Sequence, residues 1–372
     1  MIVSICSDLV PLVAIDVAGS RLVQARAPGA CARARCRICA RRNCGPSAAS
    51  GDRSAGNPVQ HSAAQASIGE AVRARLEDER LREYEFETVD VFTDRPFGGN
   101  PLAVFVDARG LADGEMQDIA REFNLSETTF VLPAKDPAHT AKVRIFTPAS
   151  ELGFAGHPNV GTALVLAGRM LARPDRVMFE EKAGLVPIRF DWSGAPQATL
   201  DAPLALRRSA EVPPALVAAC VGLRAEQVLS HAHRPCIAGV GTDFVIAEVS
   251  ADALAAASPD TGAMREAARR FPVEPIGFPV HLYVREGAVL RTRMFSPLSG
   301  IPEDPATGSA NVALAALLLE LSGEAEHRLT IHQGVEMGRP SLLHAGAWRA
   351  NDGVRAWIGG GAVPVLRGKL QI

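Results

Sequence analysis

Two short turns in the sequence carry side chains suited to acid–base chemistry. The first, FAGHPNVGTA from position 154, contains His157, and the second, EDPATGSA from position 303, contains Asp304. Each of these side chains can exchange a proton, and each lies shortly before an apolar stretch. A lone histidine is more often structural, and an aspartate before proline is more often a turn former. The matched placement of the two residues favours a shared chemical role.

The apolar stretches are predicted to be buried helices whose amino ends bind an anion. GTALVLAGRMLA from Gly161 and GSANVALAALLLEL from Gly308 have no polar face, so protein must surround them. A helix start presents unpaired N–H groups and the positive end of the helix dipole. Two such starts facing one cleft would hold a carboxylate and stabilise negative charge during proton abstraction. The residues expected to contact this anion or stiffen the turns are Gly161, Thr162, Gly308, Ser309, Pro158 and Pro305. Ordinary N-capping by Thr162 or Ser309 is the plainer alternative.

The two turns belong to a longer internal match. RIFTPASELGFAGHPNVGTA (144–163) and RMFSPLSGIPEDPATGSA (293–310) share Arg-x-Phe-[Thr/Ser]-Pro, followed by Pro-x-x-Gly-[Thr/Ser]-Ala. This match predicts a duplicated fold with pseudo-two-fold symmetry. It aligns Gly161 with Gly308 and gives His157 and Asp304 corresponding positions. The two helix starts would face each other across a cleft between two lobes.

Strand-like segments of about 5 to 9 residues surround the predicted helices from Tyr84 onward. DGEMQDIAREFNLS predicts one amphipathic helix, with Met116 and Ile119 on its apolar face and Asn124 as its stop. The predicted fold class is α+β, with two pseudo-symmetric lobes that each wrap a barrel-like sheet around a central buried helix. We expect the first lobe over 84–200 and the second over 201–356. A C-terminal strand within 357–372 is expected to return to the first lobe.

Residues 1–80 differ from the rest of the chain. They are rich in Ala, Arg, Ser and Gly, lack hydrophobic periodicity, and predict a disordered extension. The first basic residue is Arg21, which argues against a secretory signal peptide. Three cysteines have the spacing of some iron–sulfur sites and a fourth follows, but the surrounding Ala-Arg repeats favour low-complexity sequence over a cluster. These cysteines are Cys31, Cys36, Cys39 and Cys44.

The overall composition excludes several classes of function. The 372 residues include 39 basic and 41 acidic side chains, a balance that gives no electrostatic case for nucleic acid or an anionic membrane. No apolar run reaches the ~20 residues that a membrane-spanning helix needs. His231, His233 and Cys236 lack a fourth metal ligand nearby, so no metal is predicted. The isolated Cys220 and Cys236 fit a reducing cytoplasm. We expect a cytoplasmic protein that acts on a small molecule.

Five motifs together resemble one known family. VDVFTDRPFGGNPLAVF, NLSETTFV, GFAGHPNVGTA, EDPATGSA and QGVEMGRPS follow the order found in the phenazine-biosynthesis isomerase, or PhzF-like, proteins. The resemblance runs from about Tyr84 to the C-terminus and includes none of the first 80 residues. It implies the fold of diaminopimelate epimerase, an isomerase without a cofactor, and commonly a homodimer.

The resemblance also implies which residues form the site. It places a catalytic glutamate at Glu127, a histidine at His157 and an aspartate at Asp304. By spacing alone, Glu127 would be a solvent-facing carboxylate. The residues expected to line the substrate site are Ser126, Gly156, Pro158, Gly161, Thr162, Gly308 and Ser309.

The implied mechanism is proton shuttling on a small carboxylate-bearing substrate. Glu127 would remove a proton from a carbon next to unsaturation and return it elsewhere, while His157 and Asp304 orient and polarise the substrate. The related epimerases use two cysteines at the helix starts, and neither turn here contains one. Two alternatives stay open: an amino-acid epimerase or racemase that uses Glu127 as one base, and a non-catalytic small-molecule binding protein. The physiological substrate is not indicated.

Overall fold

The computed structural model describes residues 81–372, which form an α+β fold of eighteen strands and six α-helices. The predicted extension over residues 1–80 and its four cysteines lie outside the described residues. Within 81–372, no helix combines the length and apolarity needed to cross a bilayer.

The first half of the fold contains nine strands and two helices. Its strands are β1 (Glu83–Val91), β2 (Asn100–Phe105), β3 (Glu127–Leu132), β4 (Ala141–Phe146), β5 (Glu151–Leu152), β6 (Arg176–Glu181), β7 (Gly184–Asp191), β8 (Gln197–Asp201) and β9 (Arg207–Glu211). Its helices are α1 (Asp113–Phe123) and α2 (Gly156–Arg169).

The second half contains nine strands and four helices. Its strands are β10 (Cys236–Gly239), β11 (Asp243–Glu248), β12 (Val280–Glu286), β13 (Val289–Ser296), β14 (Ile301–Asp304), β15 (Glu326–Gln333), β16 (Ser341–Ala350), β17 (Gly353–Gly360) and β18 (Ala362–Gln371). Its helices are α3 (Pro214–Cys220), α4 (Ala251–Ala256), α5 (Thr261–Arg270) and α6 (Gly308–Ser322).

The two halves repeat one pattern of strand pairing. In the first, β2 and β3 are parallel, β3 and β4 are antiparallel, and β4 and β6 are parallel. In the second, β11, β12, β13 and β15 pair in the same order and directions. The last strand of each half pairs with the first strand of the other half: β9 pairs with β10, and β18 pairs with β1. The duplication predicted from the internal match is confirmed.

Two apolar helices lie inside this arrangement of strands. Eleven of the fifteen residues of α6 are buried, because nearly every side of the helix carries Ala, Val or Leu. It contacts β10, β11, β15, β16 and β17, while α2 contacts β1, β2, β3, β7 and β8. The amphipathic α1 covers an outer face instead, burying Met116 and Ile119. It ends at Asn124 in the left-handed conformation, as predicted.

The start of α2 differs from the sequence prediction. The helix begins at Gly156 rather than Gly161, so Pro158 lies in its first turn instead of ahead of it. Proline is tolerated there because the first N–H groups of a helix have no intrahelical acceptor. Four short strands (β5, β9, β10 and β14) and two helices (α4 and α5) were not predicted.

Candidate active site

The amino ends of α2 and α6 meet backbone to backbone. A Cβ placed on Gly156 would lie 3.4 Å from the Cα of Gly308, and one placed on Gly308 would lie 3.5 Å from the Cα of Gly156. Among the described residues, no side chain caps either helix. The N-cap of α2 is Ala155, and the Thr307 hydroxyl at the N-cap of α6 donates to Asp304 instead. Two positive helix ends therefore face the same gap.

Matched ion pairs fix how the two halves correspond. Arg144 Nε donates to Glu151 Oε1 at 2.7 Å, and Arg293 Nε donates to Glu303 Oε1 at 2.7 Å. Each glutamate lies on the short strand that precedes its central helix, at the same separation from the helix start. The difference in loop length therefore falls earlier, in the turn Pro297–Ser299 of the second half.

This correspondence corrects the alignment made from sequence. Gly156, not Gly161, is the counterpart of Gly308. His157 then corresponds to Ser309, and Asp304 corresponds to Leu152. The prediction that His157 and Asp304 occupy equivalent positions was wrong, because the Pro-x-x-Gly match is displaced from the true helix starts. The fold is symmetric, but its titratable groups are not.

Two residues predicted to contact substrate lie inside the first half instead. A Cβ on Gly161 would lie 2.6 Å from both Leu102 Cδ2 and Val91 Cγ2, so glycine serves close packing against β1 and β2. The Thr162 hydroxyl is fully buried, 2.8 Å from the Thr129 hydroxyl. The expectation that these two residues line the gap is corrected, because both lie beyond the first turn of α2.

Glu127 and His157 face each other beside the helix starts. Glu127 is the first residue of β3, and its Oε2 lies 3.3 Å from Nε2 of His157, in the first turn of α2. Their side chains are 13% and 6% exposed. Neither atom has a hydrogen bond of good geometry within residues 81–372. One carboxyl oxygen and one imidazole nitrogen without other partners in the described residues thus face each other.

Burial sets the protonation of this pair. It raises the pKa of Glu127 to about 8, with the nearby charge of Asp304 adding to the rise and Ser126 opposing it. Burial also lowers the pKa of His157 to about 3. At neutral pH the carboxyl is therefore mostly protonated and the imidazole is neutral.

Asp304 ends β14 and is held by two donors. Asn100 Nδ2 donates to Oδ1 at 2.8 Å, and the Thr307 hydroxyl donates to Oδ2 at 2.5 Å. Burial raises the pKa of Asp304 to about 6, while these two hydrogen bonds oppose that rise. Asp304 therefore ionises more readily than Glu127.

Asn100 links the two halves of the site. Its Oδ1 accepts a hydrogen bond from the Ser126 hydroxyl at 2.9 Å, while its Nδ2 reaches Asp304 and also the carbonyl of Ala306 at 3.1 Å. Ser126, predicted to contact substrate, is thus bonded to Asn100 beside Glu127. Asn100 was not predicted from the sequence, although it lies in the GGNP stretch of the first family motif and is an amide at the start of an apolar strand.

The remaining predicted residues lie at the two helix starts. Pro158 is buried in the first turn of α2, and Ser309 is the partly exposed second residue of α6. The structure therefore gathers most of the predicted set around one gap: Ser126, Glu127, Gly156, His157, Pro158, Asp304, Gly308 and Ser309.

No metal centre accompanies these groups within residues 81–372, where no cluster of three or more His, Cys, Asp or Glu has suitable geometry. His233, weighed above as a metal ligand, instead has its Nε2 2.9 Å from the Tyr283 hydroxyl. The Cys236 thiol is buried, which raises its pKa.

Comparison with known proteins identifies the family of this chain. Residues 89–368 match the family model described as phenazine biosynthesis-like protein. The chain belongs to the PhzF family. An uncharacterised isomerase of Mesorhizobium japonicum is 38% identical over 76% of this chain and 97% of its own length. The trans-2,3-dihydro-3-hydroxyanthranilate isomerase of Pseudomonas aeruginosa is 38% identical over 73% of this chain and 94% of its own.

A solved PhzF-family structure supports the fold assignment. The phenazine biosynthesis protein of Bacillus anthracis superposes with a TM-score of 0.70 at 26% identity, over 78% of this chain and 100% of its own. The predicted family and α+β fold class are confirmed, and this PhzF-family chain is an isomerase.

Proposed function

We propose that this PhzF-family isomerase shifts a proton, and with it a double bond, on a small unsaturated carboxylic acid, with Glu127 as the acid–base group. The observation that carries the proposal is the contact between the Glu127 carboxyl and the neutral His157 imidazole, next to two uncapped helix starts.

The two helix starts would bind the carboxylate of the substrate. Their N–H groups and dipoles favour an anion, and Gly156 and Gly308 place no side chain between an anion and the backbone there. The titratable groups at the gap are acids and a neutral imidazole, so these N–H groups supply the positive potential. The same donors would stabilise negative charge that forms on the substrate during the reaction.

Glu127 is suited to both halves of a proton shift. With its pKa raised to about 8, its ionised form is a stronger base than an ordinary glutamate and is matched to neutral pH. The carboxylate would take a proton from carbon, leaving the electron pair delocalised over the neighbouring double bond and carboxylate. The new O–H group would then return that proton to a different carbon.

His157 and Asp304 would hold the polar substituents of the substrate. The neutral imidazole can donate or accept one hydrogen bond as Glu127 changes state. Asp304 is fixed by its two donors, and so presents a defined acceptor to a hydroxyl or amino substituent. A thiol-based two-base racemisation has no support, because neither helix start contains a cysteine.

The named relative narrows the substrate class. The Pseudomonas aeruginosa protein is named for a cyclic diene acid with amino and hydroxyl substituents, and we extend to this chain only the class of cyclic unsaturated carboxylates. Homodimerisation and a cytoplasmic location stay predictions that come from the family resemblance and the composition.

Glu127→Gln tests the proposal directly. With trans-2,3-dihydro-3-hydroxyanthranilate as the probe in deuterated water, the wild type should shift the double bond, and deuterium should appear on ring carbon only to the extent that the protonated Glu127 exchanges with solvent before it returns the proton. Glu127→Gln should fold normally and lose about 10²- to 10⁴-fold in turnover. Glu122→Gln, on the exposed face of α1, is the control and should retain full turnover.

Three results would contradict the proposal. Near-normal turnover in Glu127→Gln would remove this residue from the acid–base role. Stereochemical inversion of an amino acid at its α-carbon, without a double-bond shift, would favour the epimerase alternative. Tight binding of the probe with no double-bond shift would favour a binding protein.

A further inference from the structure

A fully buried glutamine, Gln333, lies behind the Asp304 side of the gap at the end of β15. Its Oε1 accepts hydrogen bonds from the Thr307 backbone N–H at 3.2 Å and from Asn311 Nδ2 at 2.6 Å. Its Nε2 donates to the Asp304 carbonyl at 2.7 Å and to the Thr307 hydroxyl oxygen at 3.0 Å. One side-chain amide therefore connects the end of β14 to the start of α6.

The chemistry of the partners fixes the orientation of this amide. A backbone N–H can only donate, and a backbone carbonyl can only accept. Exchanging the oxygen and nitrogen of Gln333 would place two donors together at Thr307 and two acceptors together at Asp304. The orientation is therefore determined by the network itself.

The fixed amide in turn sets the direction of the Thr307 hydroxyl. This hydroxyl has one hydrogen, and its oxygen already accepts from Gln333 Nε2. Its own hydrogen is then directed to Asp304 Oδ2. Asp304 receives this bond and the one from Asn100, so both of its oxygens act as acceptors.

We propose that Gln333 is a positioning residue, whose amide fixes the Thr307 hydroxyl as a donor to Asp304 and holds the start of α6 at the gap. Any effect of this positioning on turnover rests on the function proposed above. The effect on the Asp304 carboxyl does not, and can be measured without any substrate.

The first half of the fold shows that strand pairing alone does not require this network. At the equivalent end of β6 stands Glu181, whose carboxyl oxygens have no hydrogen-bond partner in the part of the chain that the structure describes. The counterpart of Thr307 is Ala155, which has no hydroxyl. The complete network occurs only in the half that carries Asp304, as expected if it serves that carboxyl.

A double-mutant cycle on the intact protein tests the proposal. The pKa of the Asp304 side chain would be followed by carbon-13 NMR in protein labelled at the aspartate carboxyl carbons, assigned with Asp304→Asn. Thr307→Val removes the donated hydrogen bond at nearly constant volume, and should raise the Asp304 pKa by about 1 pH unit or more. Gln333→Met should raise it as well, but should add little in the Thr307→Val background, because both changes act through one hydroxyl.

Thr292→Val is the matched control. The Thr292 hydroxyl is also buried and lies 3.4 Å from Gln333 Oε1, yet it does not contact Asp304, so this change should leave the Asp304 pKa in place. The charges that also act on Asp304 are Glu127 and Glu303, and neither is altered in the cycle.

Two outcomes would overturn the proposal: an unchanged Asp304 pKa in Thr307→Val, or fully additive effects of the two changes. If Gln333→Met fails to fold, the comparison of Thr307→Val with Thr292→Val still decides whether the hydroxyl acts on Asp304. A shifted pKa in a protein without isomerase activity would support the positioning role and reject the function proposed above.

Discussion

Asn159 and Asn311 occupy the same position in the first turns of the two central helices. Asn159 Nδ2 donates to the Ala155 carbonyl at 3.0 Å, and Asn311 Nδ2 donates to the Thr307 carbonyl at 3.0 Å. The two oxygens differ. Asn311 Oδ1 lies 3.1 Å from His281 Nε2, whereas Asn159 Oδ1 has no partner within residues 81–372. Within residues 81–372, the side-chain amide of Asn311 is therefore hydrogen-bonded at both its oxygen and its nitrogen, whereas that of Asn159 is bonded at its nitrogen alone.

Glu181→Gln should stabilise the protein at alkaline pH. Burial raises the pKa of Glu181 to about 8. An unfolded glutamate has a pKa near 4.3, so folding stability from this group is present below about pH 4.3 and is lost as pH rises toward 8. Glutamine, the residue at the equivalent position 333, does not titrate. We expect the free energy of unfolding of Glu181→Gln to exceed that of the wild type by about 1–3 kcal/mol at pH 8.5.

Urea unfolding at pH 8.5 and pH 4.5 measures this effect, and the difference should shrink at the lower pH. The neighbouring Glu180 is the control. Its carboxylate accepts from the backbone N–H of Asp136, from His139 and from the backbone N–H of Lys135, which lowers its pKa to about 2. Glu180→Gln should therefore destabilise the protein at neutral pH. An equal response of both variants at the two pH values would reject the assignment of an uncharged Glu181.

Gly156→Ala should impair turnover without unfolding the protein. The added methyl group would lie in ordinary contact with Gly308, so the fold can accept it, but it would fill space where the substrate carboxylate is expected. We expect the free energy of unfolding to change by less than about 1 kcal/mol and turnover to fall about 10²-fold.

Gly168→Ala, near the other end of α2, provides the comparison. A Cβ at Gly168 would meet nothing within 4 Å, so this variant should gain up to about 1 kcal/mol of stability and keep its turnover. Full turnover in Gly156→Ala would show that the helix starts do not bind the reacting substrate.

Gly161→Ala should do the opposite and weaken the fold. Its Cβ would lie 2.6 Å from both Leu102 Cδ2 and Val91 Cγ2, so buried side chains must move to admit it. We expect a loss of about 1–3 kcal/mol, measured by urea unfolding. Turnover per folded molecule should stay close to the wild-type value. Unchanged stability would show that the side chains of β1 and β2 can shift to accommodate the added methyl group without a loss of stability.

Local patterns predicted much of this fold. The spacing of Met116 and Ile119 and the stop at Asn124 predicted α1, because all three depend only on near neighbours. The longer strands followed from alternating apolar residues. The strands β5 and β14 did not, since such short segments become strands only by pairing with β4 and β13.

The site was predicted less completely, for a related reason. His157 and Asp304 were identified from the two turns and Glu127 mainly through the family motifs, but the helix start at Gly156 was not, because Pro158 was interpreted as a residue preceding the helix. Asn100 was missed because its role depends on a partner 204 positions away in the sequence. No local pattern in a sequence reveals a contact of that kind.

Asn100→Asp should slow turnover while leaving the fold nearly intact. The change is close to isosteric, but it replaces the Nδ2 donor with an oxygen that faces Asp304 Oδ1. Two carboxyl oxygens then share a buried position, which raises the pKa of the Asp304 side chain and disturbs Ser126 beside Glu127. We expect turnover at pH 7.5 to fall about 10²-fold.

The pH dependence distinguishes this effect from simple misfolding. As pH falls, the new pair takes up a proton that can bridge the two oxygens, so the ratio of variant to wild-type turnover should rise between pH 7.5 and pH 5.5. Asn351→Asp, in the exposed turn between β16 and β17, adds the same charge away from the site and should match the wild type throughout. A ratio for Asn100→Asp that stays constant with pH would mean that Asn100 acts on turnover by some route other than the Asp304 carboxyl.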